Sequence, residues 1–295
     1  MNDTRPVAII GIGLMGEVFA RRLLDARFSV IGYDLDPARR ARLDEIGGKS
    51  VGAIANLAGP ARCILISVFS TDQVEDVVEN HLLPALGDGS GKIVMCLSTC
   101  DPDRIAALGD RVISRGIRLL DTPISGTSQE VRQGDAVGLI GGDDVVADEV
   151  KPILDALCTR CFRIGRIGDG GRAKLAVNLI LGLNRLALAE GLVFAERLGL
   201  DPGKFLDVAR GAACYSRVME NKGPKMVRRE FTPEGRARQT LKDAHLMLDQ
   251  ARAVGQRLPL LEVHEQILTA CVQHGEADCD NSVVIEEVRR RRTEP

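Results

Sequence analysis

From residue 7 to about residue 165 the chain alternates short apolar runs, rich in Val and Ile, with amphipathic stretches. Runs that are apolar at every position suit strands buried on both faces, and their alternation with helical periods predicts a mostly parallel sheet with crossover helices. Strands are expected at residues 7–10, 29–33, 63–68, 93–97, 117–120, 137–140 and 161–164. Helices are expected between them at 14–26, 71–81, 102–115 and 144–157.

Beyond a glycine-rich hinge at 165–171 the pattern changes. Residues 174–198 read as one helix of about 25 residues, nearly 40 Å long at 1.5 Å per residue. Helical periods bounded by Gly or Pro continue at 202–211, 237–254, 259–274 and 281–292. The expected fold class is α/β followed by all-α: a domain over residues 1–165, then an all-helical domain over 166–295 that opens with a long connecting helix. Ligands of such proteins sit in the cleft between domains.

Composition narrows the partners. The 295 residues carry 39 Lys and Arg against 41 Asp and Glu, a net charge of −2. That leaves no electrostatic footprint for nucleic acid or an anionic membrane and favours a small-molecule partner. Apolar runs are broken by Gly, Asn or Arg, so no membrane segment is predicted. Arg5 precedes an apolar run that continues into a glycine motif without a cleavage site, which reads as a first strand in a cytoplasmic protein. The eight scattered cysteines suit reduced thiols. Cys158 and Cys161 form a lone C-x-x-C without a second ligand pair, so no metal site is expected. The arginine run 289–292 reads as a solvated helix end.

The run at 7–10 leads at once into Gly11-Ile12-Gly13-Leu14-Met15-Gly16 and then a helical period, the context in which G-x-G-x-x-G marks a Rossmann dinucleotide site. Gly11 would allow the tight turn, Gly13 the approach of a pyrophosphate, and Gly16 close helix packing, with Leu14 and Met15 at the helix N-terminus. Asp34 ends the second strand, where an acidic residue binds the ribose 2′-hydroxyl of NAD. Arg39 and Arg40 nearby leave NADP open. A helix-cap reading of Asp34, and a methyltransferase reading of the glycine loop, also remain open at this point.

Lys174 and Asn178 lie four residues apart and share one helix face. Together with the glycine motif, Ser98-Thr99, Asp121-Thr122-Pro123-Ile124-Ser125-Gly126 and Lys242-Asp243, this order of motifs resembles the β-hydroxyacid dehydrogenase family over nearly the whole chain. That family includes 3-hydroxyisobutyrate dehydrogenase, tartronate semialdehyde reductase and short relatives of 6-phosphogluconate dehydrogenase. The resemblance implies Lys174 as general acid/base and Asn178 as a substrate-orienting group. It further implies Ser125, Gly126 and Thr127 around the substrate carboxylate, with Thr99 and Lys242 near the cofactor. A lysine in the first helical turn faces the positive end of the dipole, which favours its neutral form. Arg172 and Lys174 at a helix start would call for an anion there, which hints at an anionic substrate.

Two segments depart from the family. Relatives commonly carry glycine where Thr127 stands and a Gly-Ala pair where Glu130-Val131 stand, and the larger side chains would narrow or re-dress the pocket. Relatives often carry phenylalanine where Gly235 stands. Tyr215, Ser216, Arg217 and the basic segment 222–229 are further pocket or interface candidates. The expected activity is reversible hydride transfer between NAD or NADP and a small β-hydroxy acid such as 3-hydroxyisobutyrate, glycerate or threonate. The alternatives are a 6-phosphogluconate-type dehydrogenase and a non-catalytic cofactor-binding module. A homodimer or homotetramer is expected.

Overall fold

The computed structural model describes residues 5–87 and 91–292. It divides into two compact units, residues 1–174 and 175–295.

In the first unit the strands are β1 (Val7–Ile10), β2 (Val30–Tyr33), β3 (Lys49–Ser50), β4 (Cys63–Ile66), β5 (Ile93–Cys96), β6 (Arg118–Asp121), β7 (Ile124–Ser125), β8 (Val137–Gly141) and β9 (Arg160–Gly165). They form one mixed sheet in the order β3-β2-β1-β4-β5-β6-β8-β7, with β9 beside β8. Pairings are parallel except β6 with β8 and β7 with β8. All seven expected strands are present. The two-residue β3 and β7 are too short to leave a periodic signal.

Alternation along the central strands explains their continuous apolar runs. Ile9, Leu65 and Met95 point into one core layer, with Phe19, Leu23 and Leu154 from helices on that face. Ile10, Ile64, Ile66 and Val94 point into the opposite layer with Val74, Leu82 and Leu108. Both faces are covered by helices, so polar positions have no place in these strands.

Proline accounts for two differences from the expected helices. The span expected at 144–157 breaks into Asp144–Glu149 and Lys151–Leu157. Pro152, in the first turn of the second piece, has no N–H to continue the first. The helix expected at 71–81 is Thr71–Asp76, followed by a π-type turn over Val77–Leu82 ahead of Pro84.

The second unit is helical. The long helix runs Asp169–Arg197, so it starts five residues before the expected 174 and crosses the boundary between the units. Helices Pro202–Gly211, Val218–Asn221, Gly223–Arg228, Ala237–Ala253, Pro259–Gln273 and Val284–Arg290 follow. Their core gathers Leu175, Leu188, Leu192, Met226, Ile267 and Val284.

The expectation of no membrane-length apolar segment needs correction. An 18-residue stretch of the long helix has a mean hydropathy of 1.5, so by length and composition alone the helix is long and apolar enough to cross a membrane. Asn184 and Arg185 interrupt the run, yet the apolar residues around them keep that stretch at 1.5. The helix is two-sided, with Leu188 and Leu192 in the core and Ile180 and Phe194 exposed, as a core helix of this length can be.

The terminal arginines are also not simply solvated. Arg289 pairs with Glu196 and Glu286, Arg290 with Glu276 and Glu287, and Arg291 with Glu287. Acidic side chains from two helices and a loop meet the run, which no reading of a single helix would show.

Candidate active site

β1 ends at Ile10 and the chain turns through the glycine motif into helix Leu14–Asp25. Gly11 has φ +90°, and a Cβ there would lie 2.3 Å from the Ser67 carbonyl oxygen. At Gly16 a Cβ would lie 1.9 Å from the Gly11 oxygen, so both positions exclude any side chain. Gly13 is different: a Cβ there would meet nothing nearer than Arg39 Nη1 at 3.7 Å. Gly13 is also the helix N-cap and provides no side-chain acceptor, so the first-turn N–H groups of Leu14 and Met15 have no cap. An open approach over bare amide donors at the positive end of a helix fits a pyrophosphate.

Asp34 is buried at the end of β2. Its Oδ2 accepts the Ile12 N–H at 2.7 Å and its Oδ1 the Asp36 N–H at 2.9 Å. The carboxylate therefore ties the glycine loop to the β2 turn, while Asp36 is the cap of helix Pro37–Glu45. Arg39 Nη1 lies 3.4 Å from Asp34 Oδ2. Arg40 donates to the Asp34 carbonyl at 2.6 Å and lies over the Tyr33 ring. Both arginines are thus engaged locally.

The loops after β4 and β5 are pinned together by Ser98, whose hydroxyl accepts the Val68 N–H at 2.9 Å and donates to the Val68 carbonyl at 2.8 Å. That fixes the backbone at half-buried Thr99.

β7 delivers Ser125, Gly126 follows it, and helix Ser128–Gln133 begins two residues later. Thr127 is the N-cap of that helix. Its hydroxyl accepts the Glu130 N–H at 3.2 Å, and its own N–H donates to Glu130 Oε2 at 2.7 Å. Thr127, expected among the substrate contacts, is therefore committed to a capping box. The two departures from the family at 127 and 130 are partners of each other, and they re-dress a helix start.

The long helix is held at its start by Asp121, whose Oδ2 accepts the Gly171 N–H at 2.7 Å. Burial pushes the Asp121 carboxyl up to about 6, against the lowering effect of the Gly171 and Gly168 N–H groups. A Cβ at Gly170 would strike the Asp121 and Leu139 carbonyl oxygens at 2.4 and 2.6 Å, so the hinge passes directly over β6 and β8. Because the helix begins at Asp169, Lys174 lies in its second turn, where the dipole effect argued for a first-turn lysine has faded. Arg172 is met by Asp103 and Asp169, so its charge is answered inside the protein and calls for no outside anion. Lys174 itself is buried, unlike most lysines.

One turn on, the Asn178 carboxamide donates through Nδ2 to Asp243 Oδ2 at 3.0 Å. Asp243 stands on helix Ala237–Ala253 beside Lys242, whose Nζ lies 3.0 Å from Asp243 Oδ1. A carboxylate can accept and cannot donate, so Asp243 fixes which end of the Asn178 amide faces it.

The basic segment 222–229 is tied into the protein at its start, while Arg228 and Arg229 at its end are exposed. Lys222 is buried against Asp280 and Glu234, Lys225 pairs with Glu234, and Arg229 with Glu286. Tyr215 and Arg217 are exposed, while Ser216 is half-buried. Cys158 and Cys161 share a thiol hydrogen bond that pushes Cys158 up and Cys161 down. Among the described residues no group of three metal-ligating side chains occurs. A concavity of about 470 Å³ in the first unit, lined in part by Asp110, Ile113, Arg166 and Arg172, contains none of the expected site residues.

Residues 6–165 match the family model described as the NAD-binding domain of 6-phosphogluconate dehydrogenase, and residues 168–288 that described as NAD-binding of NADP-dependent 3-hydroxyisobutyrate dehydrogenase. The chain belongs to the β-hydroxyacid dehydrogenase family. It is similar to 2-hydroxy-3-oxopropionate reductase of Escherichia coli, with 29% identity over 95% of this chain and 96% of that one. An L-threonate dehydrogenase of Cupriavidus necator is 29% identical over 96% and 95% of the two chains. A crystal structure of 3-hydroxyisobutyrate dehydrogenase from Salmonella typhimurium superimposes with a TM-score of 0.87 at 28% identity, covering 96% of this chain and 99% of that one.

As a member of this family the chain is an NAD(P)-dependent oxidoreductase of β-hydroxy acids, and its cofactor is a nicotinamide dinucleotide. Asp121 had no role in the residue-by-residue reading, and Asp243 was expected only to pair or cap locally. Both stood inside quoted motifs, Asp121 heading the segment that ends at Gly126 and Asp243 next to Lys242. The sequence carries no sign of which distant group each carboxylate meets.

Proposed function

We propose that this chain catalyses reversible oxidation of a short β-hydroxy acid, with Lys174 as the proton-transferring group and Asn178 orienting the substrate. The observation that carries the reading is the pairing of a buried Lys174 with an Asn178 whose carboxamide is fixed by Asp243, one turn apart on one helix face. Bound at Gly11, Gly13, Leu14, Met15, Gly16, Asp34, Thr99 and Lys242, the nicotinamide supplies the hydride acceptor or donor. In oxidation, neutral Lys174 Nζ takes the hydroxyl proton while the carbon–hydrogen bond gives up its hydride, leaving a carbonyl; in reduction, the ammonium returns the proton to the carbonyl oxygen. Ser125 and the backbone at Gly126 receive the carboxylate, together with Asn178.

NAD is the favoured cofactor in this reading. Asp34 puts a negative charge where a 2′-phosphate would have to lie, Arg39 is paired to it, and the next residue, Leu35, is exposed and carries no charge. A second copy of the chain packs along the exposed stripe of the long helix that contains Ile180 and Phe194, giving the homo-oligomer. Eight unpaired thiols support a reducing, cytoplasmic setting.

The test follows nicotinamide absorbance with NAD or NADP and a panel of 3-hydroxyisobutyrate, glycerate, threonate and 6-phosphogluconate, with Lys174→Ala alongside. Turnover of one of the short acids, reduced by about a hundredfold or more in the variant, supports the assignment. Equal turnover by the variant would remove Lys174 from the chemistry.

A further inference from the structure

Arg185 lies on the same face of the long helix as Asn178 and Gly182, at the four- and seven-residue spacings that stack side chains along one side. It is buried, with a relative exposure of 6%, and its Nε has no hydrogen-bond partner. Burial outweighs the pull of Asp280 and Asp243 and pushes its pKa down to about 10. A buried cation left this way is costly unless something outside the chain completes it.

A second orphan stands beside it. His264, from helix Pro259–Gln273, is 2% exposed, and its Nε2 has no hydrogen-bond partner. The two groups converge on Gly182: a Cβ there would lie 2.7 Å from His264 Cε1 and 3.8 Å from Arg185 Nη2. The imidazole is held neutral by burial, then by the Arg185 charge, so it offers one N–H and one acceptor. Gly182 is four residues from Asn178, about 6 Å along the axis at 1.5 Å per residue. Arg185 reaches back toward it because helical side chains lean toward the N-terminus.

We propose that Arg185 and His264 form a subsite for a second carboxylate on the substrate, making short β-hydroxy diacids the preferred class. The inference rests on the reading that Asn178 holds the first carboxylate. The guanidinium supplies a two-pronged donor and the imidazole N–H a third, set one helical turn from the first anion site. A monoacid leaves both groups unsatisfied, so the discrimination comes from buried polar groups that one ligand completes and the other does not.

Two measurements test it on the full chain with NAD present. Calorimetric titration with unreactive glutarate and with butyrate is expected to show the diacid binding at least about tenfold more tightly, a difference of about 1.4 kcal/mol. The kcat/KM ratio of 3-hydroxyglutarate to 3-hydroxybutyrate should also fall at least about tenfold in Arg185→Met. Arg185-dependent glutarate binding without turnover of any acid would uphold the subsite while sinking the dehydrogenase assignment. Monoacid turnover with no diacid preference in either measurement would do the reverse. Should Arg185→Met fail to fold, the wild-type glutarate and butyrate affinities decide the matter, and Arg185→Lys, which keeps the charge but loses the fork, is expected to fall short of wild type.

Discussion

Asn178 on the long helix donates its carboxamide hydrogen to Asp243 Oδ2 at 3.0 Å, linking helices that are 65 residues apart in sequence. A hydrogen bond to a charged acceptor contributes about 1.5–3 kcal/mol, enough to hold one amide orientation against its flipped alternative. Asp243→Asn offers the facing amide a donor as well as an acceptor, so the Asn178 orientation is no longer imposed. KM for the hydroxy acid should rise about tenfold while kcat changes less, since Lys174, the proposed proton-transferring group, is untouched. A rise confined to the KM of the cofactor would instead assign Asp243 to Lys242.

Thr127 and Glu130 fill each other's needs in a capping box. Thr127→Ala removes the acceptor for the Glu130 N–H, and the expected cost is about 1 kcal/mol, read from urea unfolding. The hydroxyl is already bonded inside the protein, so KM for the substrate should stay within about twofold. A tenfold KM change with unaltered stability would mean that the hydroxyl leaves the cap to meet the ligand.

Asp121 and His264 give the two units opposite responses to acid. Asp121 titrates near 6 in the folded chain against an ordinary 3.8, so the folded form holds its proton more tightly and this contribution to stability is lost as pH rises from about 4 to about 6. His264 titrates near 3 against an ordinary 6.5, so its contribution is intact above about 6.5 and is lost as pH falls toward 3. At 1.36 kcal/mol per unit the effects are on the order of 3 and 5 kcal/mol. Unfolding followed from pH 7.5 to 4.5 should show a shallower acid loss for His264→Gln than for wild type, and a steeper one for Asp121→Asn. Parallel curves for all three proteins would show that neither group is perturbed.

The sheet was legible because its strands are buried on both faces: a run such as Val7-Ala8-Ile9-Ile10 has no amphipathic alternative. The glycine motif was legible because Gly11 and Gly16 answer to local contacts within the same turn. What escaped was set by tertiary partners. The start of the long helix moved to Asp169 because Asp121, 50 residues earlier, accepts the Gly171 N–H. Arg172 looked like an unanswered cation until Asp103 met it. The basic segment at 222–229 resembled a binding surface, yet Lys222 is neutralised by Asp280, 58 residues further on. Charges read along one helix say little about whether they are solvated, and the same holds for the arginines at 289–291.

In the proposed function, cofactor choice turns on Asp34. Its carboxylate is already engaged by the Ile12 and Asp36 N–H groups and lies 3.4 Å from Arg39, so it is held in place before any ligand arrives. A ribose 2′-hydroxyl can donate to such a carboxylate, whereas a 2′-phosphate would be repelled by it. Wild type should therefore favour NAD over NADP by at least about tenfold in kcat/KM, the consequence of roughly 1.4 kcal/mol of charge repulsion. Asp34→Ser removes the charge and releases Arg39, which reaches toward Gly13 and can then pair with a phosphate. The NAD to NADP ratio is expected to fall, through both weaker NAD use and stronger NADP use. Part of the NAD loss would come from slackening of the Ile12 turn, and that part should weaken both cofactors alike. Gain of NADP activity is thus the diagnostic half of the result, and its absence would show that Arg39 does not reach the 2′ position.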